Sequence, residues 1–499
     1  MSISIISYWN FFLLPEIFFL FFLCFSLILV IFYFNSYYIL FKEFYSLILV
    51  FLFILLLLYG NIISIEGYNF SYNLYNNFII IDFFNTSIKM IIVFIIFIIF
   101  LVSFNYFEFM KVNSFEFFIL FFLSLFGLVF ILNSYNLTIF YISVELQSLC
   151  FYVLTSTRRG SIYSLESGLK YFIIGSFSSC ILLFGISFLY GFTGLLGLND
   201  LSLLLNHISY DNVFFLIGVS LAIMLVSLSF CFKLYVAPFH LWIQDIYQHS
   251  LTPVTMYFAL VPSYVYLCFM FRLFYFSFEV FAWLWEFIFS FCGFCSIILG
   301  SLGGLFQKKI KRLIAYSSIN NFGYLLLMFI YCDVNSVSNI FTYYFVYVIS
   351  TIIIFTFLVS VIKKNKDYAC YIDSLDDLKG YGRYNGYVAF FLSVSLFSLS
   401  GVPPMAGFYA KLFVFLHLYD HGNYFLLLIL ILSSLISSFY YIRVVNLMFF
   451  KPFDYSYTYT NPNYLQASVM FWLTFFLILF MFKSNYITVI SDLIAFSLF

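Results

Sequence analysis

Two lysines stand where charge transfer through a membrane would need a carrier: Lys233 in FCFKLYVAPFHLW and Lys411 in SLSGVPPMAGFYAKLFVF. Each lies in an apolar stretch interrupted by proline. A cation at bilayer depth costs about 2.5–3.5 kcal/mol on insertion scales, so such residues face water or an acid and are ion-pathway candidates by default. Glu145 places a carboxylate in the middle of another apolar run. It would be protonated there unless a cation lies near. Desolvation disfavours a buried ammonium and a neighbouring carboxylate favours it, so moving the carboxylate closer or further makes a lysine hold or release its proton. Gating of this kind needs no redox group. His240 follows Lys233 by two turns, roughly 10 Å along an unbroken helix. It reads either as a relay or as a histidine bonded to a backbone group freed at the helix break. Lys170 and Glu166 in ESGLKYF are spaced i, i+4, as in a helix-end salt bridge.

The elements that must hold these residues are membrane helices. The 499 residues are 65% hydrophobic, 25% aromatic and only 8% charged, which points to an all-α polytopic membrane protein. A bilayer core of about 30 Å takes about 20 residues per helix. That yardstick predicts about fourteen spans, near 10–34, 45–65, 86–106, 115–134, 137–156, 165–190, 212–243, 251–275, 278–302, 311–331, 337–362, 387–419, 422–449 and 465–496. The seventh and twelfth are too long for one straight crossing. Pro238 interrupts one, and Gly401, Pro403, Pro404 and Gly407 the other, so each is expected as two half-helices with free backbone between them. The start, MSISIISYWNFFLLPEIFF, lacks transit-peptide character and is expected as a retained helix.

Charge orients the bundle. Of the 21 Lys and Arg residues, the odd-numbered loops collect Lys42, Lys111, Arg158, Arg159, Lys308, Lys309, Lys311, Arg312, Lys363, Lys364, Lys366, Lys379, Arg383, Arg443 and Lys451. The even loops and the chain's end hold Lys89, Arg272 and Lys483. Both termini are therefore expected outside, with the linker 363–386 on the inner, negative side. The run Lys308, Lys309, Lys311 and Arg312 reads as a headgroup anchor. Broken helices at matching places in two five-helix units suggest an inverted repeat. The expected division is an N-terminal three-helix segment over 1–110, repeats over 111–275 and 276–450, and a C-terminal helix over 451–499. Lys233 precedes its proline whereas Lys411 follows its own, so the two units match poorly as sequence.

Other chemistries find no purchase. Net charge is zero and basic residues form no stripe, which speaks against nucleic acid. The nine cysteines lack metal-ligand or secreted-framework spacing, and Cys292 with Cys295 stands in an apolar run without a second pair. No G-x-G-x-x-G or P-loop appears, so no cofactor and no metal is expected on this chain. His207, His249, His417 and His421 lie near span ends and are assigned no chemistry. The abundance of Phe, Ile, Tyr and Asn suits an A/T-rich, organellar gene.

Four blocks carry a resemblance: VELQSLCFYVLTSTRRGSIYSLESGLKYFIIGSFSSCILLFGISFLYGFTG, FKLYVAPFHLWIQDIYQHSLTPVTMYFALVP, QKKIKRLIAYSSINNFGYLLL and LSLSGVPPMAGFYAKLFVF. In this order they resemble the antiporter-like subunits of respiratory complex I, in the branch of chain 2 and the bacterial N subunit. The resemblance covers roughly a third of the chain. It implies a fourteen-helix fold that translocates protons in the mitochondrial inner membrane, driven by NADH oxidation elsewhere. NADH, FMN, iron–sulfur clusters and ubiquinone would then sit in neighbouring subunits of the membrane arm and beyond, with cardiolipin as a lipid partner. It implies a proton pathway of Glu145 paired with Lys233, leading to Lys411 as the outer exit, with Lys170 linked to Glu145 or to a neighbouring subunit. The family's eighth span usually carries a central lysine. Here TPVTMYFALVPSYVYLCF puts Tyr264 at that position. A phenol passes a hydrogen bond but holds no positive charge. Either water with His240 and Tyr264 bridges Lys233 to Lys411, or the connection is broken and the chain is a non-pumping scaffold. A cation/proton antiporter of the same fold is the remaining alternative.

Overall fold

A computed structural model of the chain describes residues 12–32, 37–68, 70–112, 115–158, 160–207, 213–364, 369–452, 458–480 and 483–499. Arg159 and Lys366 of the charge tally lie outside them. Two helices, α1 (Leu14–Phe32) and α2 (Tyr37–Glu66), lead to a short antiparallel hairpin, β1 (Ser71–Leu74) and β2 (Ile79–Asp82). The hairpin ends at Asp82, whose Oδ1 accepts from the Asn85 N–H at 2.9 Å and so starts α3 (Phe83–Phe109). Helices α4 (Phe115–Asn133), α5 (Leu137–Thr155) and α6 (Ile162–Thr193) follow. The Asn136 side chain caps α5 through the Thr138 N–H at 2.9 Å. A short helix, α7 (Leu198–Asn206), precedes the first broken span, α8 (Val213–Lys233) and α9 (Leu241–His249).

The eighth span is interrupted as well. It runs as α10 (Thr252–Leu260), α11 (Pro262–Met270) and a π-helical stretch Phe271–Ser277, because Pro262 has no N–H for the ladder. Helices α12 (Ala282–Leu305), α13 (Ile310–Phe329) and α14 (Val334–Ser360) come next. On the side that the charge pattern assigns to the inner face, the sense in which inner and outer are used below, β3 (Ile362–Lys364) pairs antiparallel with β4 (Ala369–Tyr371) and with β5 (Thr458–Tyr459). Between β4 and β5 lie α15 (Tyr381–Tyr384), the second broken span as α16 (Gly386–Ser400) and α17 (Ala406–Asp420), and α18 (Tyr424–Phe450). The chain closes with α19 (Tyr464–Leu479) and α20 (Asn485–Phe496).

Among the described residues, ten helices are long and apolar enough to cross a membrane, shorter apolar helices stand at the first, twelfth and fourteenth expected positions, and α13 stands at the tenth. The fourteen expected positions are all occupied by helix. The fourteenth, expected as one span over 465–496, is two helices. Burial separates the roles of the apolar spans: the most apolar stretch of Thr252–Ser277 is buried throughout and that of Val334–Ser360 to 94%, whereas that of Tyr424–Phe450 is only 28% buried. The two enclosed spans form the axis of the molecule and pack on each other, and the rest surround them.

Three cations read as loop charges are buried. Lys89 sits in α3 and pairs with Glu16 of α1 at 2.6 Å, with the Asn133 amide donating to the same carboxylate oxygen at 3.3 Å. Arg272 pairs with Asp82, which therefore caps α3 with one oxygen and neutralises a guanidinium with the other. Lys311 lies inside the bundle rather than at headgroups. A buried charge persists only when paired or bonded, and each of these is.

The inner linker is ordered by Asp377. Burial pushes its carboxyl up, but the Lys363 ammonium at 2.7 Å and the Ser374 N–H and hydroxyl together hold it below the usual carboxylate range.

The second break is the tightest backbone contact of the fold. A Cβ added at Gly407 would lie 1.7 Å from the Ser398 carbonyl oxygen, and the Gly407 N–H donates to Ser398 Oγ at 3.2 Å. Gly407→Ala must push the two half-helices apart, at a cost of about 1–3 kcal/mol. A lower thermal midpoint of the assembled protein is expected; an unchanged midpoint would show that the half-helices do not meet here.

Candidate functional site

The first break follows directly on Lys233, the last residue of α8. Residues 234–240 leave the helix, with Tyr235 at φ 47° and Pro238 removing a donor, before α9 resumes at Leu241. Lys233 is partly buried and lines a cavity of about 20 Å³ with Gln147, Tyr171, Tyr235, Trp242 and Tyr266. That is room for a single water. The Tyr266 hydroxyl donates to Gln147 Oε1, two residues after Glu145 on α5. Glu145 lies within electrostatic reach of Lys233, yet neither makes an ion pair within 4.0 Å among the described residues. Its neighbours Ile142 and Leu149 are exposed, so the carboxylate sits at the flank of the chain. His240 is buried at the start of α9, and its Nδ1 has no hydrogen-bond partner.

The second break follows Ser400, the last residue of α16. Gly401 closes the helix at φ 81°, the left-handed conformation that glycine adopts without strain. Lys411 sits on α17, yet its Nζ reaches back across the gap and donates to the Ser400 carbonyl at 3.0 Å. It also lies 5.6 Å from the centre of the Tyr324 ring. It is 5% exposed and has no carboxylate partner among the described residues. Its charge is met by the carbonyl end of a half-helix and by a ring face.

These positions resolve the poor sequence match between the units. Lys233 is the terminal residue of its first half-helix, and Lys411 returns to the terminal residue of its own. Both lysines are thereby tied to the C-terminal, electronegative end of the first half of a broken span, Lys233 by its place in the chain and Lys411 by its hydrogen bond, though one precedes its proline and the other follows.

Tyrosines fill the space between them. Tyr235, which shares the Lys233 cavity, has its hydroxyl beside that of Tyr247, and Tyr247 in turn neighbours Tyr347. Tyr347 lines a second small cavity with Asn321, Tyr343 and Lys411. Tyr343 donates to Asn321 Oδ1 at 2.9 Å. The hydroxyls of Tyr235, Tyr247 and Tyr347 and the Asn321 amide nitrogen are buried and fall short of hydrogen-bond geometry with any described residue. Tyr264 stands beside this row. Its ring stacks on Tyr344 at 4.3 Å and 7°, and its hydroxyl is turned to the Cys268 thiol.

Polar cavities open at opposite ends. The inner one holds about 760 Å³ and is lined by residues at the ends of several helices, among them Arg158, Lys170, Asp245, His249, Lys311 and Arg312. Lys170 pairs with Glu166 at 2.8 Å and also with Asp245 of α9 at 2.9 Å, and Arg312 donates to the same Asp245 at 3.0 Å. Lys311 donates to the Ser250 carbonyl at 2.9 Å, just past the end of α9. Three cations thus hold one half-helix by its C-terminal turn and its single acid. The outer cavity holds about 400 Å³ and is lined by Ser338, Thr342, His417, Asp420 and Asp492.

Sequence reasoning missed Gln147, Asp245, Lys311 and the tyrosine row. A glutamine two residues after Glu145 and an aspartate in LWIQDIYQH were visible signals, since both interrupt apolar periodicity. The tyrosines gave none among 44.

Residues 134–437 match the family described as NADH:quinone oxidoreductase/Mrp antiporter, TM. The chain is 35% identical over 435 residues to NADH-ubiquinone oxidoreductase chain 2 of Marchantia polymorpha, covering 85% of each. It is 31% identical to NADH-quinone oxidoreductase subunit N of Pelagibacter ubique, covering 87% of this chain and 90% of that one. Its fold matches a chain of respiratory complex I from Thermus thermophilus with a TM-score of 0.76 at 22% identity, over 95% of this chain and 98% of the other. The chain belongs to the NADH:quinone oxidoreductase and Mrp antiporter family of membrane subunits, on the branch of chain 2 and subunit N.

Proposed function

We propose that the chain is a membrane-arm subunit of a respiratory NADH:quinone oxidoreductase and moves protons across the bilayer while electrons pass from NADH to quinone in other subunits. One observation carries this reading: two ammonium groups at the ends of half-helices, joined by a row of buried hydroxyls, lie between an inner and an outer polar cavity. Buried hydroxyls without protein partners take water, and water between them makes the row a hydrogen-bonded conductor.

In this account Lys170, with Asp245, Arg312 and Lys311, lines the entry from the inner side. Lys233 takes the proton, and Glu145 sets how tightly it is held. A carboxylate at the chain's flank can be drawn toward or away from Lys233 by a neighbouring subunit, which is how work done elsewhere reaches this site. The tyrosine row replaces the family's central lysine, with His240 and Tyr264 at its margin, and Lys411 releases the proton to the outer cavity. A row of neutral groups conducts by exchanging hydrogen bonds, so charge rests only at its two ends. NADH, FMN, iron–sulfur clusters and ubiquinone belong to other subunits of the assembly, and this chain supplies no redox centre. The partners are adjoining antiporter-like and small membrane-arm subunits and the surrounding lipid, including cardiolipin. The phenylalanine- and isoleucine-rich composition favours the mitochondrial inner membrane over a bacterial one.

Lys233→Ala and Lys411→Ala should assemble and oxidise NADH while lowering the proton-to-electron ratio, read as acid release per NADH in sealed vesicles. An unchanged ratio in both variants rejects the proton-carrier role. Tyr347→Phe removes an unpartnered hydroxyl and keeps the ring, so it should lower the ratio without loss of assembly. Tyr264→Lys restores the family's residue; with the row already conducting, the ratio should not rise. A rise would mean that the parent chain is a non-pumping scaffold.

A further inference from the structure

The outer end of α17 carries a group of side chains that the proton path does not use. His417 and His421 are spaced i, i+4 and share one face of that helix, and Asp333 immediately precedes α14 on another element. One ligand atom from each of the three lies within 4.8 Å of the others. Asp333 stands at the N-cap of α14, where an aspartate ordinarily accepts from the first turn of its own helix. Its side chain makes no cap bond and turns instead to His421, with Oδ2 at 2.9 Å from Nε2.

An ion pair accounts for Asp333 and His421 but leaves His417 unexplained. That imidazole is only 6% exposed, and neither ring nitrogen has a hydrogen-bond partner. A buried polar ring aimed at a carboxylate and a second imidazole, with nothing bonded to it, is what a ligand set needs. The rings are also held in place. Tyr331 stacks on His421 at 4.1 Å and meets His417 edge-on at 5.1 Å, and its hydroxyl is fixed by the Asn423 amide.

We propose that Asp333, His417 and His421 bind a divalent cation of the zinc class from the outer side. Two imidazoles and one carboxylate suit such borderline ions, whereas calcium and magnesium prefer sets made of oxygen alone. Tetrahedral coordination with bonds of about 2.0–2.2 Å needs ligand atoms about 3.3–3.6 Å apart, which small side-chain rotations achieve from the observed spread. Asp333 and His421 are partly open to solvent, and His417 lines the outer cavity, so an ion has a route in and a fourth position for water. The bound ion would fasten the end of α17, the helix of Lys411, to the start of α14. The site stands on its own geometry, independent of the proton-transfer reading.

The test is equilibrium dialysis of the purified, chelator-washed assembly against radiolabelled Zn²⁺, comparing the parent with His421→Gln and His417→Gln. His421 is at an exposed helix end, so its substitution leaves folding intact. The parent should bind one more zinc ion per assembly than either variant at low micromolar zinc, or bind that ion at least tenfold more tightly. A His207→Gln control should match the parent. Equal stoichiometry and affinity in the parent and His421→Gln would overturn the proposal.

Discussion

The donation of a lysine ammonium to the last carbonyl of an interrupted helix is the interaction on which the rest depends. A helix that stops inside a bilayer leaves four carbonyls without partners and an electronegative end, both costly in a medium that offers no water. A buried ammonium is costly for the opposite reason. Lys411 on Ser400 offsets each with the other, and Lys233 is the residue at which the other half-helix ends. The breaks and the lysines are therefore a single device. Either alone would be a defect.

Around that device the bundle is arranged by exposure to lipid. Tyr343 and Tyr347 of the enclosed α14, Asn321 of α13, and Tyr235 and Tyr247 at the first break and α9 lie between the lysines, while other apolar spans on the outside carry bare apolar surface. The half-helix α9 is held at its inner end by Lys170, Arg312 and Lys311, which join α6 and α13 to it. The ion pair Glu16–Lys89 joins α1 to α3, and Asp82–Arg272 fastens the hairpin to the eighth span. Where the family carries a central lysine, this chain stacks Tyr264 on Tyr344 and leaves the neighbouring tyrosine hydroxyls free for water. Replacing a charged relay by neutral ones removes the need to bury a further cation between Lys233 and Lys411.

Much of this was legible in the residues. Pro238, Gly401, Pro403 and Pro404 marked both breaks, because proline and glycine act locally and need no partner to do so. The hydropathy period located all fourteen helical positions. What escaped depends on residues far apart in the chain. Nothing near Lys89 distinguishes a loop cation from one paired with a glutamate 73 positions away, and Arg272 meets its aspartate across 190. Lys311 looked like a headgroup anchor because its neighbours are basic, yet it turns inward to Ser250. The split of the last span left no proline or paired glycines to announce it. The relation of Lys233 to Lys411 was hidden because the first belongs to its half-helix end by position in the chain and the second by a hydrogen bond from the following half-helix.

The central claim is that a hydrated row of hydroxyls connects two cations held at half-helix ends. The direct measurement is a density map of the assembled complex at a resolution that reveals ordered water. The account predicts water density against the Tyr235, Tyr247 and Tyr347 hydroxyls, continuing from Lys233 to Asn321 beside Lys411. Dry, close-packed rings between the two lysines, with Lys411 turned away from Ser400, would contradict it.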